Sequence, residues 1–280
     1  MRRMKVKKHS GEQENFNPDK LCDSLVAAGV THKKAEQVCT VVQSKLKPGD
    51  STTKVFREAL RTLVKDDLQA GARYSLHRAV DSLGPAGFLF EQYVEALLQA
   101  HGYNTRQGLM MKGECASHEI DVYAEKGGLK YLVEAKYRNR HSIKTHIDQV
   151  MYADARLMDI QRRAEKQNKN PNEYTMWVIT NTRFTSNAIK YAKCRGVKLV
   201  SWNYPKKEGN LESMIIRKKM YPITVLPSLT QFARDAFAEH RMILAQDLMP
   251  YTVDDLVKKI GIPKSTAGKL LREVHEIITL

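Results

Sequence analysis

The segment from His118 to Tyr137 reads HEIDVYAEKGGLKYLVEAKY and carries carboxylates and a lysine at the spacing that metal-dependent phosphodiester hydrolysis requires. Two runs rich in Ile, Val, Tyr and Leu flank Gly127-Gly128, a dipeptide that tolerates the positive φ angles of a two-residue hairpin turn. With that pair at the turn, Lys126 faces Leu129, Asp121 faces Glu134 and Glu119 faces Lys136. Side chains alternate along a strand, so Glu134 and Lys136 share a face and Asp121 joins them from across the hairpin. Acids opposed in this way raise one pKa unless a cation lies between them, which points to Mg²⁺ or Mn²⁺. A wet surface hairpin would also carry charge. Against that, Tyr131-Leu132-Val133 runs into Glu134-Ala135-Lys136 with apolar residues on both faces, as in a buried strand.

The elements around this hairpin alternate. Periodicity and turn residues predict a helix over 88–101, a weak strand over 103–111, a long helix over 145–167 and a strand over 174–180. A helix over 186–195 and a strand over 198–202 follow. That order predicts an α/β domain over 86–221, a sheet of mixed direction with helices on both faces. Gly84-Pro85 marks its start, since neither residue continues a helix. Residues 1–83 read as a separate, mainly helical domain. A polar strand at Val6-Lys7-Lys8 precedes a helix opened by Asn17-Pro18 and ended by Gly29, then helices over 32–45, 53–68 and 70–82. Residues 227–280 read as a small helical module, with helices over 228–245, 253–260 and 264–278. Its joint, Lys259-Ile260-Gly261-Ile262-Pro263-Lys264-Ser265, is the compact turn of a helix-hairpin-helix or helix-turn-helix. Such a turn can offer backbone amides, with Lys258, Lys264 and Lys269, to DNA phosphate; a helical cap or dimerisation element is the alternative.

The 46 Lys and Arg against 31 Asp and Glu leave a formal charge of +15, which implies a polyanionic partner or an acidic membrane surface. No apolar run approaches the ~18 to 20 residues that span a bilayer. Met1-Arg2-Arg3-Met4 lacks the apolar stretch of a signal peptide, so a cytoplasmic, non-membrane protein is expected. Cys22, Cys39, Cys115 and Cys194 have no zinc-site spacing and are expected to be reduced and mostly buried. The lack of an H-E-x-x-H run argues against a zinc hydrolase.

Gly87 to Leu98 (GFLFEQYVEALL), HEIDVYAE and VEAKY together resemble the PD-(D/E)XK nuclease superfamily, above all the Mrr-type restriction endonucleases and more distantly the archaeal Holliday-junction resolvases. The resemblance implies a restriction-endonuclease-like fold in which Glu91, Asp121, Glu134 and Lys136 converge around Mg²⁺ or Mn²⁺. Asp121 and Glu134, with the Ala135 carbonyl, would hold the metal, and Glu91 would bind it directly or through water. Lys136 would orient the nucleophile or stabilise the phosphorane charge. Gln149, with Tyr152 one turn later, would position the metal ligands or the scissile phosphate. Glu95, on the same helix face, is the rival of Glu91. His118-Glu119 stands where many Mrr-type enzymes carry Gly, and Ala135 replaces the commoner Cys. Beside such a centre, the ten Lys or Arg and two acids between Arg183 and Lys219 read as a phosphate-tracking surface. Trp202 reads as core.

The stretch VKKHSGEQENFNPDKL, with the Arg73-Tyr74 helix, is similar to the ATP-cone, the nucleotide-sensing domain of ribonucleotide reductases and of their transcriptional repressor. This implies ATP or dATP as a regulatory ligand. Its phosphates would meet Lys8, His9 and Lys20, its base or sugar Glu14 and Asn17, with Val6 on the same strand; His9 stands where the family has Arg. The expectation is a homo-oligomeric, Mg²⁺-dependent DNA endonuclease switched by ATP or dATP, in restriction or defence. The alternatives are a structure-selective repair nuclease such as a junction resolvase, and a non-cleaving nucleotide-sensing DNA-binding regulator.

Overall fold

The computed structural model describes residues 5–8, 11–83, 87–139 and 143–279, so His9 and the Gly84-Pro85 boundary lie outside the described residues. The chain divides into two compact units. One comprises the residues up to Leu76, 225–236 and those from Leu248 onward; the other comprises 77–224 and 237–247.

In the first unit, β1 (Lys5–Lys7) pairs antiparallel with β2 (Gln13–Asn15), a strand whose polar sequence hides it. Four helices follow: α1 (Pro18–Ala27), α2 (His32–Lys45), α3 (Thr52–Val64) and α4 (Leu68–Asp81). The Asn17 side chain accepts from Asp19 N at 2.8 Å and caps α1, with Pro18 in the first turn where its missing N–H costs nothing. Val6, Leu25, Val38, Val42, Ala59 and Leu63 form the core of this unit. Cys22 and Cys39 are joined as a disulfide between α1 and α2, while Cys115 and Cys194 are exposed. The expectation of four reduced, mostly buried cysteines is therefore corrected, because helix packing pairs two thiols that sequence spacing leaves apart.

The C-terminal helices from Val253 onward, with residues 225–236, belong to this same unit. Gln69 on α4 donates to the Glu276 carbonyl at 3.1 Å, and Glu273 takes hydrogen bonds from both the backbone and the hydroxyl of Ser228. The helix expected over 228–245 is shorter, since Arg241 turns to φ +56° after Glu239.

The second unit is built on a five-stranded mixed sheet. Its helices and strands are α5 (Gly87–Ala100), β3 (Asn104–Lys112), β4 (Ser117–Lys126), β5 (Leu129–Lys136), β6 (Lys144–Thr145), α6 (Ile147–Lys166), β7 (Tyr174–Thr180), β8 (Arg183–Phe184), α7 (Ser186–Arg195), β9 (Lys198–Val200) and α8 (Leu211–Lys218). The order is β3-β4-β5-β7-β9, antiparallel from β3 to β5 and parallel from β5 to β9. Gly127 and Gly128 take φ +59° and +78°, which a residue with a Cβ adopts only with strain, and Lys126 faces Leu129 as the sequence implies. Ile120, Leu132, Met176 and Val178 pack against Val150, Ala153 and Leu157 of α6 and Ala188 and Ala192 of α7. The two-residue pair β6-β8 and helix α8 are additions to the expected elements. No helix among the described residues is long and apolar enough to cross a membrane.

Candidate active site

The ladder between β4 and β5 ends at Val122 and Val133, one pair short of Asp121 and Glu134. Beyond that point the Ala135 N–H donates to Asp121 Oδ2 at 2.8 Å. A carboxylate is thus fixed at the place where two strands part, and both neighbours of Ala135 are the expected functional residues. Burial pushes the Asp121 carboxyl up to about 6, and the charge of Glu134 adds to the rise. Burial also raises Glu91, which α5 brings within reach of Glu119, Glu134 and Lys136. The charge of Lys136 opposes that rise. Glu95 instead accepts from Thr105 Oγ1 at 3.1 Å, which leaves Glu91 as the α5 carboxylate facing the cluster.

Glu134 is only 2 % exposed, and both its oxygens are engaged. Oε1 pairs with Lys136 Nζ, and Oε2 accepts from Arg156 Nη1 at 2.6 Å. The same guanidinium donates to the Glu119 carbonyl at 3.3 Å and lies 4.5 Å from the centre of the Tyr152 ring. Sequence reading misses Arg156, since a basic residue in the middle of a helix ordinarily faces water. One signal points to it: Gln149, Tyr152 and Arg156 recur at the spacing that keeps side chains on one helix face. Gln149 itself donates to Asp148 Oδ2 at 3.2 Å.

Glu91, Glu119, Asp121 and Glu134 thus face two cations, Lys136 and Arg156, an excess of negative charge suited to a hard divalent ion. The donors are all oxygen, which fits Mg²⁺ or Mn²⁺ and not zinc. Among the described residues, the ligand atoms of Glu91, Asp121 and Glu134 do not all lie within 4.8 Å of one another, and both oxygens of Glu134 face cations.

Glu114, Cys115 and Asp159 do come that close. Asp159, however, already accepts from the Cys115 and Ala116 amides at 2.9 and 3.2 Å and pairs with His118 Nε2 at 2.7 Å. The His118 ring, ahead of those amides, holds the Asp159 carboxyl well below the usual carboxylate range. This is a clamp that ties the β3-β4 turn to α6. Gly113 sits inside it: a Cβ there would stand 1.9 Å from Asp159 Oδ2 and 2.9 Å from the Ala116 carbonyl. Gly113→Ala is expected to cost about 1–3 kcal/mol by overpacking. A chemical denaturation midpoint equal to the parental one would contradict the clamp.

Outside the cluster, Lys258, Lys264 and Lys269 are exposed, as are all the basic residues of 183–219 except the half-buried Lys219. Arg195 among them is engaged by the buried Asp154 at 2.8 Å. Trp202 stacks on His77 with ring centres 4.0 Å apart and is half-buried, outside the buried core in which the sequence placed it. Lys8 and Lys20 both reach Glu14, at 3.3 and 3.8 Å, and Val6 is buried.

Comparison with known proteins decides the family. Residues 85–203 match the restriction endonuclease (Mrr_cat) profile and residues 221–278 the profile of AF1548-like proteins, C-terminal. An uncharacterized protein of Archaeoglobus fulgidus is 32 % identical over 182 residues, 65 % of this chain and 98 % of its own length. The chain belongs to the AF1548-like family. A crystal structure of AF1548, a protein of unknown function, has 31 % identity and a TM-score of 0.55, covering 69 % of this chain and 99 % of that one. Can2 from Sulfobacillus thermosulfidooxidans, solved with cyclic tetra-adenylate, aligns at 14 % identity and TM-score 0.34 over 75 % of this chain and 64 % of its own, a likeness too slight to argue from. In this AF1548-like protein the restriction-endonuclease profile spans Glu91, Asp121, Glu134, Lys136 and Arg156, and residues 1–84 fall outside both profiles.

Proposed function

We propose that the chain is a Mg²⁺- or Mn²⁺-dependent DNA endonuclease and that Glu91, Asp121, Glu134 and Lys136 are its cleavage centre. The observation that carries this reading is the buried Glu134 at the parting of β4 and β5, paired with Lys136 and facing the desolvated Asp121, within a domain of the restriction endonuclease family. Asp121, Glu134, Glu91 and the Ala135 carbonyl would hold the ion. Bound there, it would polarise a phosphoryl oxygen and lower the pKa of water. Lys136 keeps its ammonium at the same place, where charge builds on the phosphoryl oxygens during attack. Gln149, one turn before Tyr152 on α6, would contact the DNA backbone next to the centre. The exposed lysines over 183–219 and at 258, 264 and 269 supply the long-range attraction, which weakens with salt. A cleavage assay across plasmid, branched and single-stranded DNA in Mg²⁺ tests the reading. Plasmid cleavage favours a restriction or defence role, preference for branched DNA favours a resolvase, and no cleavage of any substrate sinks the endonuclease.

A second reading, nucleotide regulation, is favoured by the convergence of Lys8 and Lys20 on Glu14 at the start of α1. Two ammonium groups there can meet a triphosphate, although Asn17 already takes up the first free amides of the helix. ATP or dATP at one hundred times its Kd is expected to stabilise the full chain by about 2.7 kcal/mol. Lys8→Ala combined with Lys20→Ala should remove the shift in melting temperature. Calorimetry with no heat at millimolar nucleotide would end this reading.

A further inference from the structure

We propose that Arg156 is an exchangeable counter-ion: it neutralises Glu134 while no metal is bound, and turns to the phosphate of the nucleic acid once a divalent cation takes the carboxylate. This rests on the reading of Glu134 as a metal ligand. A carboxylate 2 % exposed must be paired, and here the pairing is complete, with Lys136 on one oxygen and Arg156 on the other at 2.6 Å. Those are the oxygens a metal needs. A divalent ion therefore has to compete with cations already in place on that carboxylate.

Of the two partners, Arg156 has somewhere to go. Its guanidinium already lies on the ring of Tyr152, a residue 59 % exposed, and this cation–π contact can keep it close after it leaves Glu134. The guanidinium fork matches a phosphate as it matches a carboxylate, whereas the Lys136 ammonium is a point charge held next to Glu134 on the same strand. Gln149 lies on the same stripe of α6, so a backbone phosphate received by Arg156 would pass beside its amide. The positive charge that screens Glu134 at rest thereby becomes available to the substrate at the moment metal binds. Metal binding and DNA binding would reinforce one another through one side chain.

The test measures metal binding on the full-length protein by calorimetry with Mn²⁺ alone, without nucleic acid, for the parent, Arg156→Ala and Arg156→Lys. Removing a competing charge at contact distance should tighten Mn²⁺ by at least about tenfold in Arg156→Ala, with Arg156→Lys between the two. Duplex DNA affinity measured by anisotropy in Ca²⁺ should move the opposite way in Arg156→Ala, falling about tenfold with the loss of a charged hydrogen-bonding partner. Unchanged or weaker Mn²⁺ binding in Arg156→Ala, with the parent still binding metal and cutting DNA, overturns the exchange and leaves the cleavage centre intact. A parent that binds no Mn²⁺ overturns both. If Arg156→Ala fails to fold, judged by its melting curve, Arg156→Lys decides: Mn²⁺ affinity equal to or below the parental value rejects the proposal.

Discussion

Asp121→Asn is expected to lower metal-dependent DNA cleavage by at least about 10²-fold, the usual loss when charge stabilisation is removed from a transition state, and at the same time to make the protein more stable. The two effects have one cause. Burial and the nearby Glu134 charge push the Asp121 carboxyl up to about 6, so its ionised form is disfavoured in the folded protein. A neutral amide of the same shape escapes that penalty and can still accept the Ala135 N–H through its oxygen. At pH 8, denaturation should show Asp121→Asn above the parent by up to about 3 kcal/mol, the free-energy equivalent of the shift and an upper bound. Glu134→Gln should lose cleavage equally but gain nothing in stability, because Lys136 and Arg156 then lack their shared anion. Parental cleavage in Asp121→Asn, or destabilisation of it, would contradict the assignment.

The same carboxyl predicts how metal binding responds to pH. Its folded value lies above the ordinary 3.8, so the folded state keeps a proton that the unfolded chain has already lost. In the metal-free protein the stability this provides is complete below about pH 4 and is lost as pH rises through about 6. Metal requires the ionised form, so affinity runs the other way. Below about pH 6, Mn²⁺ affinity should fall about tenfold per pH unit, and above about pH 7 it should level off. The upward shift of Glu91 steepens the acid limb. Calorimetry from pH 5 to 8 checks this; a midpoint near 4 would mean that Asp121 does not hold the ion.

Much of this centre can be read in the sequence because it depends on local geometry. The Gly127-Gly128 turn fixes the hairpin register, and the register alone brings Asp121 towards Glu134 and Lys136. The helix start at Asn17 is legible too, since a capping side chain and the amides it serves are near neighbours. Helix α8 also carries a signal in the sequence: Asn210 as cap, then Leu211, Met214 and Ile215 on one buried face. What depends on tertiary placement is hidden. Arg156 reaches Glu134 only because α6 packs on the sheet, the Asp159 clamp joins residues more than forty positions apart, and Cys22 meets Cys39 only once α1 and α2 pack. The grouping of the C-terminal helices with the first four, with Gln69 bonded to Glu276, is of the same kind.

The most direct measurement is the conversion of supercoiled plasmid DNA by the full-length protein in Mg²⁺ or Mn²⁺, with and without EDTA, alongside Glu134→Gln. The account predicts nicked or linear product with either ion, none with EDTA and none from the variant. Cleavage that survives EDTA, or proceeds at the parental rate in Glu134→Gln, would contradict it.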